Sequence, residues 1–151
     1  MKRIPNLKIQ LVRDGSSLYN TNAISCPEDA AEIASKFFED MATDREVFAV
    51  MLLNTKNRVI GINVVSVGSL TASVVHPREV FKAACLANAT NIILTHNHPS
   101  GDPAPSKEDI SITSRLVQAG RLMDIPVLDH IVIGDNTGRS MSFKASDLIK
   151  D

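Results

Sequence analysis

The chain has little cysteine, no surplus of either charge and no long apolar run, and each lack closes off a class of protein. Its two cysteines, Cys26 and Cys85, stand far apart and in no C-x-x-C spacing. That excludes a disulfide framework and a thiolate metal site, and it suits a reducing cytoplasm. Both thiols are expected as small buried hydrophobes. With 16 Lys and Arg against 17 Asp and Glu, a net charge of -1, the electrostatic footprint of a dedicated nucleic-acid binder is missing. The opening MKRIPNLKIQ lacks the apolar core of a signal peptide, and no stretch reaches membrane-spanning length. A cytoplasmic protein with no membrane partner is the expectation. Internal repeats, low-complexity tracts and linkers are also missing.

What is present is the length and composition of one ordinary domain: 151 residues, 44% hydrophobic and 22% charged. Residues 1–24 read as a leader, with a weakly alternating edge strand over Lys8 to Val12 followed by a loop. A domain over 25–151 follows. Ser25 with Glu28 resembles a capping box, Pro27 fits a first helical turn, and Ile33, Ala34, Phe37 and Phe38 make a helical stripe running to about Met41. VFAVMLL from Val47 and VIGINVVSV from Val59 predict a hairpin of two central strands. Pro77 opens a second helix with Val80, Phe81, Ala84 and Cys85 on one side, and NIILT from Asn91 returns to strand. A helix from Ser106 to Ala119 ending at Gly120, a strand from Val127, a short strand near Arg139 to Phe143 and a last helical turn complete the pattern. Alternating strands and helices predict an α/β fold, a single mixed sheet with helices on both faces.

The chemistry concentrates in LTHNHPSGDPAPSKEDI, Leu94 to Ile110. His96 and His98 extend a strand, where residues two apart share a face, so both imidazoles can converge on one point beside Ile92 and Leu94. A lone His-x-His pair at a strand end can equally be solvated. The following helix adds weight. At about 100° per residue, Ser111, Ser114, Arg115 and Gln118 fall on one arc and Ile110, Ile112, Leu116, Val117 and Ala119 on the other, with Asp109 inside the apolar arc. A carboxylate turned toward a core is costly unless a cation or several donors compensate it. Ser106 with Asp109 as a capping box is the competing account, and both roles are compatible. Two histidines and one aspartate with an open position resemble catalytic rather than structural zinc sites. One Zn2+ per chain suits these ligands, although spacing alone leaves iron, manganese and nickel open.

HNHPSGDPAPSKED resembles the HxHP-x6-SxxD signature of the JAB/MPN (JAMM) metalloproteases. The flanks SVVHPREVFKAA and VLDHIVIG resemble the RadC branch, over roughly Ser25 to Phe143. The resemblance implies a single JAB/MPN domain of cytidine-deaminase-like layered architecture, with His96, His98 and Asp109 as zinc ligands. A general base is needed beside such a metal. Local sequence leaves Glu46, Glu39 and Glu79 open, and turns Glu108 toward solvent; the resemblance selects Glu46, just before a buried strand and on the face of Phe48 and Val50. It likewise assigns Ser106 to the oxyanion. His76 reads as a helix entry and His130 as a hydrogen-bonded sheet residue. Asp129 is a candidate partner behind the ligands, and Asp102 a loop-shaping residue.

The implied activity is metal-assisted hydrolysis of a peptide or isopeptide bond in an unidentified peptide or protein substrate. Alternatives are a non-catalytic interaction module on the same fold, or a DNA-repair-associated module. Fuller RadC-like chains carry a helix-hairpin-helix region where only a short leader is expected here, and the charge gives nucleic acid no support. Oligomeric state is not readable from the pattern.

Overall fold

The computed structural model describes residues 1–42, 44–68 and 75–150. Its elements are α1 (Pro27–Met41), β1 (Val47–Leu53), β2 (Val59–Val67), α2 (Pro77–Leu86), β3 (Asn91–His98), α3 (Lys107–Met123), β4 (Val127–Gly134) and β5 (Arg139–Ser142). The five strands form one sheet in the order β2-β1-β3-β4-β5. Neighbours are antiparallel except β3 and β4, which run parallel because α3 crosses between them. The expected mixed sheet is therefore the observed one.

Helices cover both faces, as the alternation predicts. On one face Ile33, Ala34 and Phe38 of α1 pack with Val47, Met51, Ile93, Ile131 and Ile133. On the other, Val80, Phe81 and Ala84 of α2 and Ile112 and Leu116 of α3 pack with Phe48, Val50, Ile92, Leu94 and Val132. Alternation along β1 and β3 divides their side chains between the two cores. Both strands are buried along nearly their whole length, which is why they read as unbroken apolar runs.

Several local expectations change. Lys8 to Val12 forms no strand; the chain first pairs at Ala23, bridged to Arg58. β2 is an edge strand, not a central one, with Ile60, Val64 and Val67 exposed. The N-cap of α1 is Cys26, one residue beyond the expected position, and Asp29 rather than Glu28 closes the turn by accepting from the Ser25 and Cys26 amides at 2.8 and 3.2 Å. Cys26 and Cys85 are exposed, the first by that capping role and the second because α2 buries Ala83 in its place. Ile110 is exposed also, while Thr113 turns inward. Gly120 does not end α3. The helix passes through it to Met123 and stops at Asp124 in the left-handed conformation, and Gly120 is required by contact: a Cβ there would lie 2.6 Å from the Ile125 carbonyl oxygen. β5 ends at Ser142, one residue early, and the tail folds as turns rather than helix. Ser73 and Val74 of the flank that opens SVVHPREVFKAA lie outside the described residues.

Candidate metal centre

The site forms where three elements end on the α2/α3 face. β3 carries His96 and His98 at its last positions, two apart and so on one face. Its antiparallel neighbour β1 sets Phe48 opposite His96, which places Glu46, two residues earlier, on that same face. α3 begins with Ser106 as its N-cap and delivers Asp109 from its first turn. The parallel crossover makes this possible, because it brings the helix N-terminus back over the strand end it has just left.

Four ligand atoms, one each from Glu46, His96, His98 and Asp109, lie within 4.8 Å of one another. Asp109 Oδ2 is 3.3 Å from Nε2 of both His96 and His98, and the two Nε2 atoms are 2.9 Å apart. A tetrahedral ion with ligand bonds of about 2.0–2.1 Å has ligand-to-ligand edges of roughly 3.3–3.4 Å. The Asp109 distances match that edge and the His–His one is somewhat short. Glu46 Oε1 stands farther back, 3.9 and 3.7 Å from the same nitrogens, and its side chain is 27% exposed where that of His96 is fully buried. Three groups thus define one point and the fourth overlooks it from the solvent side.

The hydrogen bonds behind the histidines fix their tautomers. Thr113 Oγ1 donates to the Asp109 carbonyl at 2.7 Å, so it can only accept from His130 Nδ1 at 2.6 Å. His130 Nε2 is then bare and accepts from His96 Nδ1 at 2.7 Å, which leaves His96 Nε2 without a proton. His98 reaches the same state by another route, since Nδ1 donates to the Asp102 carbonyl at 2.7 Å. Two bare nitrogens and a carboxylate oxygen facing one another need a cation between them, whether a proton or a metal ion. The donor set therefore fits a divalent metal.

Electrostatics agree. Burial pushes the Asp109 carboxyl up, but the adjoining His96 and His98 rings outweigh it and hold the group far below the ordinary carboxylate range. The hydrogen bond to Asp109 raises His98 against the opposing effect of burial, so with no metal competing a proton binds there more tightly than on an ordinary imidazole. Burial first, and then the neighbouring His96, keep His130 well below an ordinary imidazole and hence neutral.

Each residue singled out in the sequence now has a place. His96, His98, Asp109 and Glu46 come together. Asp109 combines the capping and inward roles through a single oxygen, since Oδ2 also accepts from the Ser106 amide at 2.9 Å. Ser106 Oγ accepts from the Asp109 amide at 3.0 Å, leaving its own O–H available as a donor at the rim. His76 occupies the N-cap position of α2, the helix entry expected, without a side-chain cap bond. Asp102 contributes its main-chain carbonyl, while its carboxylate accepts from Ala104 N within the loop. Asp129 does not stand behind the ligands. It accepts from Ser142 Oγ at 2.6 Å and Lys144 N at 3.0 Å and so ties down the turn after β5. His130 is a buried, hydrogen-bonded sheet residue, stacked on Phe143 at 4.6 Å, but it also holds His96, and Thr113 holds it in turn. The available signal was a histidine at an inward position of a largely apolar strand.

Among the described residues, no helix is long and apolar enough to cross a membrane. Residues 24–148 match the RadC-like JAB domain family. A UPF0758 protein of Desulforamulus reducens is 52% identical over 121 residues, 80% of this chain and 52% of that protein. A second, from Caldanaerobacter subterraneus, is 50% identical over 123 residues, 81% of this chain and 52% of its own length. A third, from Shouchella clausii, is 56% identical over 113 residues, 74% and 48% respectively. The chain spans about half the length of these relatives.

Proposed function

Since the chain belongs to the RadC-like JAB domain family, we propose that it is a zinc-dependent hydrolase of the JAMM type, acting on a peptide or isopeptide bond in the cytoplasm. The observation that carries this reading is the meeting of His96 Nε2, His98 Nε2 and Asp109 Oδ2 at one point, with Glu46 Oε1 set back from it by 3.7–3.9 Å. Zinc suits two imidazoles and a carboxylate, and three protein ligands leave one position open. When bound, such an ion acidifies a water and polarises a carbonyl.

The chain's own residues supply the rest. Glu46 Oε1 takes the proton from the attacking water and passes it to the departing nitrogen, so that the amine leaves neutral. Ser106 Oγ–H donates to the oxygen of the scissile carbonyl as negative charge develops there. The Thr113–His130–His96 chain and the Asp102 carbonyl hold both imidazoles in the liganding tautomer throughout.

The test is Glu46→Gln, assayed on peptide and isopeptide-linked libraries beside a zinc determination. The variant is expected to keep wild-type zinc content and to lose hydrolysis by about 100-fold or more. Undiminished turnover of a substrate that the wild type cleaves would remove Glu46 from this role.

A further inference from the structure

We propose that Asn97, the residue between the two histidines, is the positioning residue for Glu46, and that Asp135 holds Asn97 in place; the inference rests on reading Glu46 as the proton carrier. Glu46 lies just outside β1, where the β1–β3 register has ended with Phe48 opposite His96. Beyond that point the Asn97 side chain replaces the ladder. Its Oδ1 accepts from Val47 N at 2.7 Å and its Nδ2 donates to the Arg45 carbonyl at 3.0 Å, so one amide grips the main chain on both sides of Glu46. The Glu46 carbonyl itself accepts from Gly68 N at 2.7 Å.

Alternation turns Asn97 to the face opposite His96 and His98, and it is 1% exposed. Three consecutive residues of β3 thereby set both ends of the reaction: two present the imidazoles, and the one between them fixes the approach of the carboxylate. The second Nδ2 proton goes to Asp135 Oδ2 at 2.7 Å, and the Asp135 amide returns to the His98 carbonyl at 3.1 Å. Every polar atom of the Asn97 amide is engaged, with the carbonyl facing an N–H and the NH2 facing two oxygens. Only that flip of the amide is consistent with the partners. Aspartate could still accept from Val47 but could not donate to Arg45, and it would face the Asp135 carboxylate. Alanine would release all three contacts.

The experiment compares Asn97→Ala and Asn97→Asp with the wild type as zinc-loaded full chains, by zinc stoichiometry and by crystallography. Both variants are expected to keep one zinc per chain while Glu46 withdraws from its station 3.7–3.9 Å from the histidine nitrogens. Asp135→Asn retains an acceptor for Asn97 and is expected to leave Glu46 in place, whereas Asp135→Ala loosens it. On a substrate cleaved by the wild type, Asn97→Ala lowers kcat about tenfold or more with little change in KM. Added to Glu46→Gln it costs nothing further, because both changes remove the same step. A wild type that cleaves nothing defeats the functional reading alone, and the crystallographic comparison still decides the positional one. Glu46 unmoved in Asn97→Asp, loss of zinc from both variants, or an additive double variant each overturns the role assigned to Asn97.

Discussion

His96 can offer Nε2 to a metal only while its other nitrogen carries the proton, and that proton is held by His130. Removing the support should therefore weaken the metal without touching a ligand. For His130→Gln we expect zinc affinity to fall about 10- to 100-fold, as is usual when the partner behind a liganding histidine is lost; titration against a chromogenic chelator measures it. The same residue gives the metal-free protein an acid-sensitive core. Its folded pKa is depressed by burial, so below an ordinary imidazole pKa of about 6.5 the unfolded chain binds a proton that the folded chain refuses. The His130 contribution to stability must then fall as pH drops. His98 contributes in the opposite sense: its folded pKa is raised, so its stabilisation is present below about 6.5 and fades as pH climbs through the raised value. Asp109, depressed, loses its contribution only in stronger acid. Chelator-treated wild type should lose more stability between about pH 7 and about pH 5 than His130→Gln does, by urea titration. Equal losses would show that His130 is not neutral in the fold. At this scale His96, His98 and Asp109 were legible because strand and helix periods place them, and Glu46 was legible only through the family resemblance. His130 and Thr113 were not, because their role depends on the parallel pairing of β3 with β4, a contact no local period reports.

Elements were legible where their signals are strong and local, and misread where a neighbouring element decides. The strand β1 and the helix α3 follow from an apolar run and an amphipathic arc. Lys8 to Val12 alternates as a strand should, yet alternation supplies no partner, and that segment is exposed along its length. Gly120 looked like a helix stop because glycine often is one; here the Ile125 carbonyl leaves no room for a Cβ. Gly134 carries the same lesson to the site. It ends β4 against the loop that holds His98, and a Cβ there would overlap the Gly101 carbonyl. Gly101 itself, at φ +90°, lies in the left-handed region glycine favours. Gly134→Ala should push that loop outward, stretch the bond from His98 Nδ1 to the Asp102 carbonyl, and cost about 1–3 kcal/mol of stability. Zinc affinity falls with it. Gly61→Ala in β2, where the nearest atom would be an ordinary 3.8 Å away, is the control expected to do neither. Denaturant titration and zinc titration of the pair check this, and loss of stability with unaltered zinc affinity would detach the loop from the site.

At the scale of the whole molecule, the donors come from parts of the chain that separate on unfolding: one position before β1, two at the end of β3 and one in the first turn of α3. Glu46 and Asp109 are 63 residues apart in sequence, yet their carboxylates meet within 4.8 Å. An ion that binds this assembled set and not the open chain must stabilise the fold by mass action. Free zinc at 100 times its dissociation constant adds about 2.7 kcal/mol. For a domain of this length each kcal/mol raises the melting temperature by roughly 2–4 °C, so a rise of roughly 5–10 °C is expected on saturating the wild type. His98→Ala should show little of it, because one of three converging donors is gone and the remaining two no longer enclose a point. Glu46→Gln should show nearly all of it, since Glu46 stands back from the ligand triangle. Differential scanning calorimetry of the three proteins, each with zinc and with chelator, separates a metal donor from a group that stands back from the ion, with no substrate needed. A zinc-induced rise as large in His98→Ala as in the wild type would place the ion elsewhere on the molecule and leave the converging histidines without their metal.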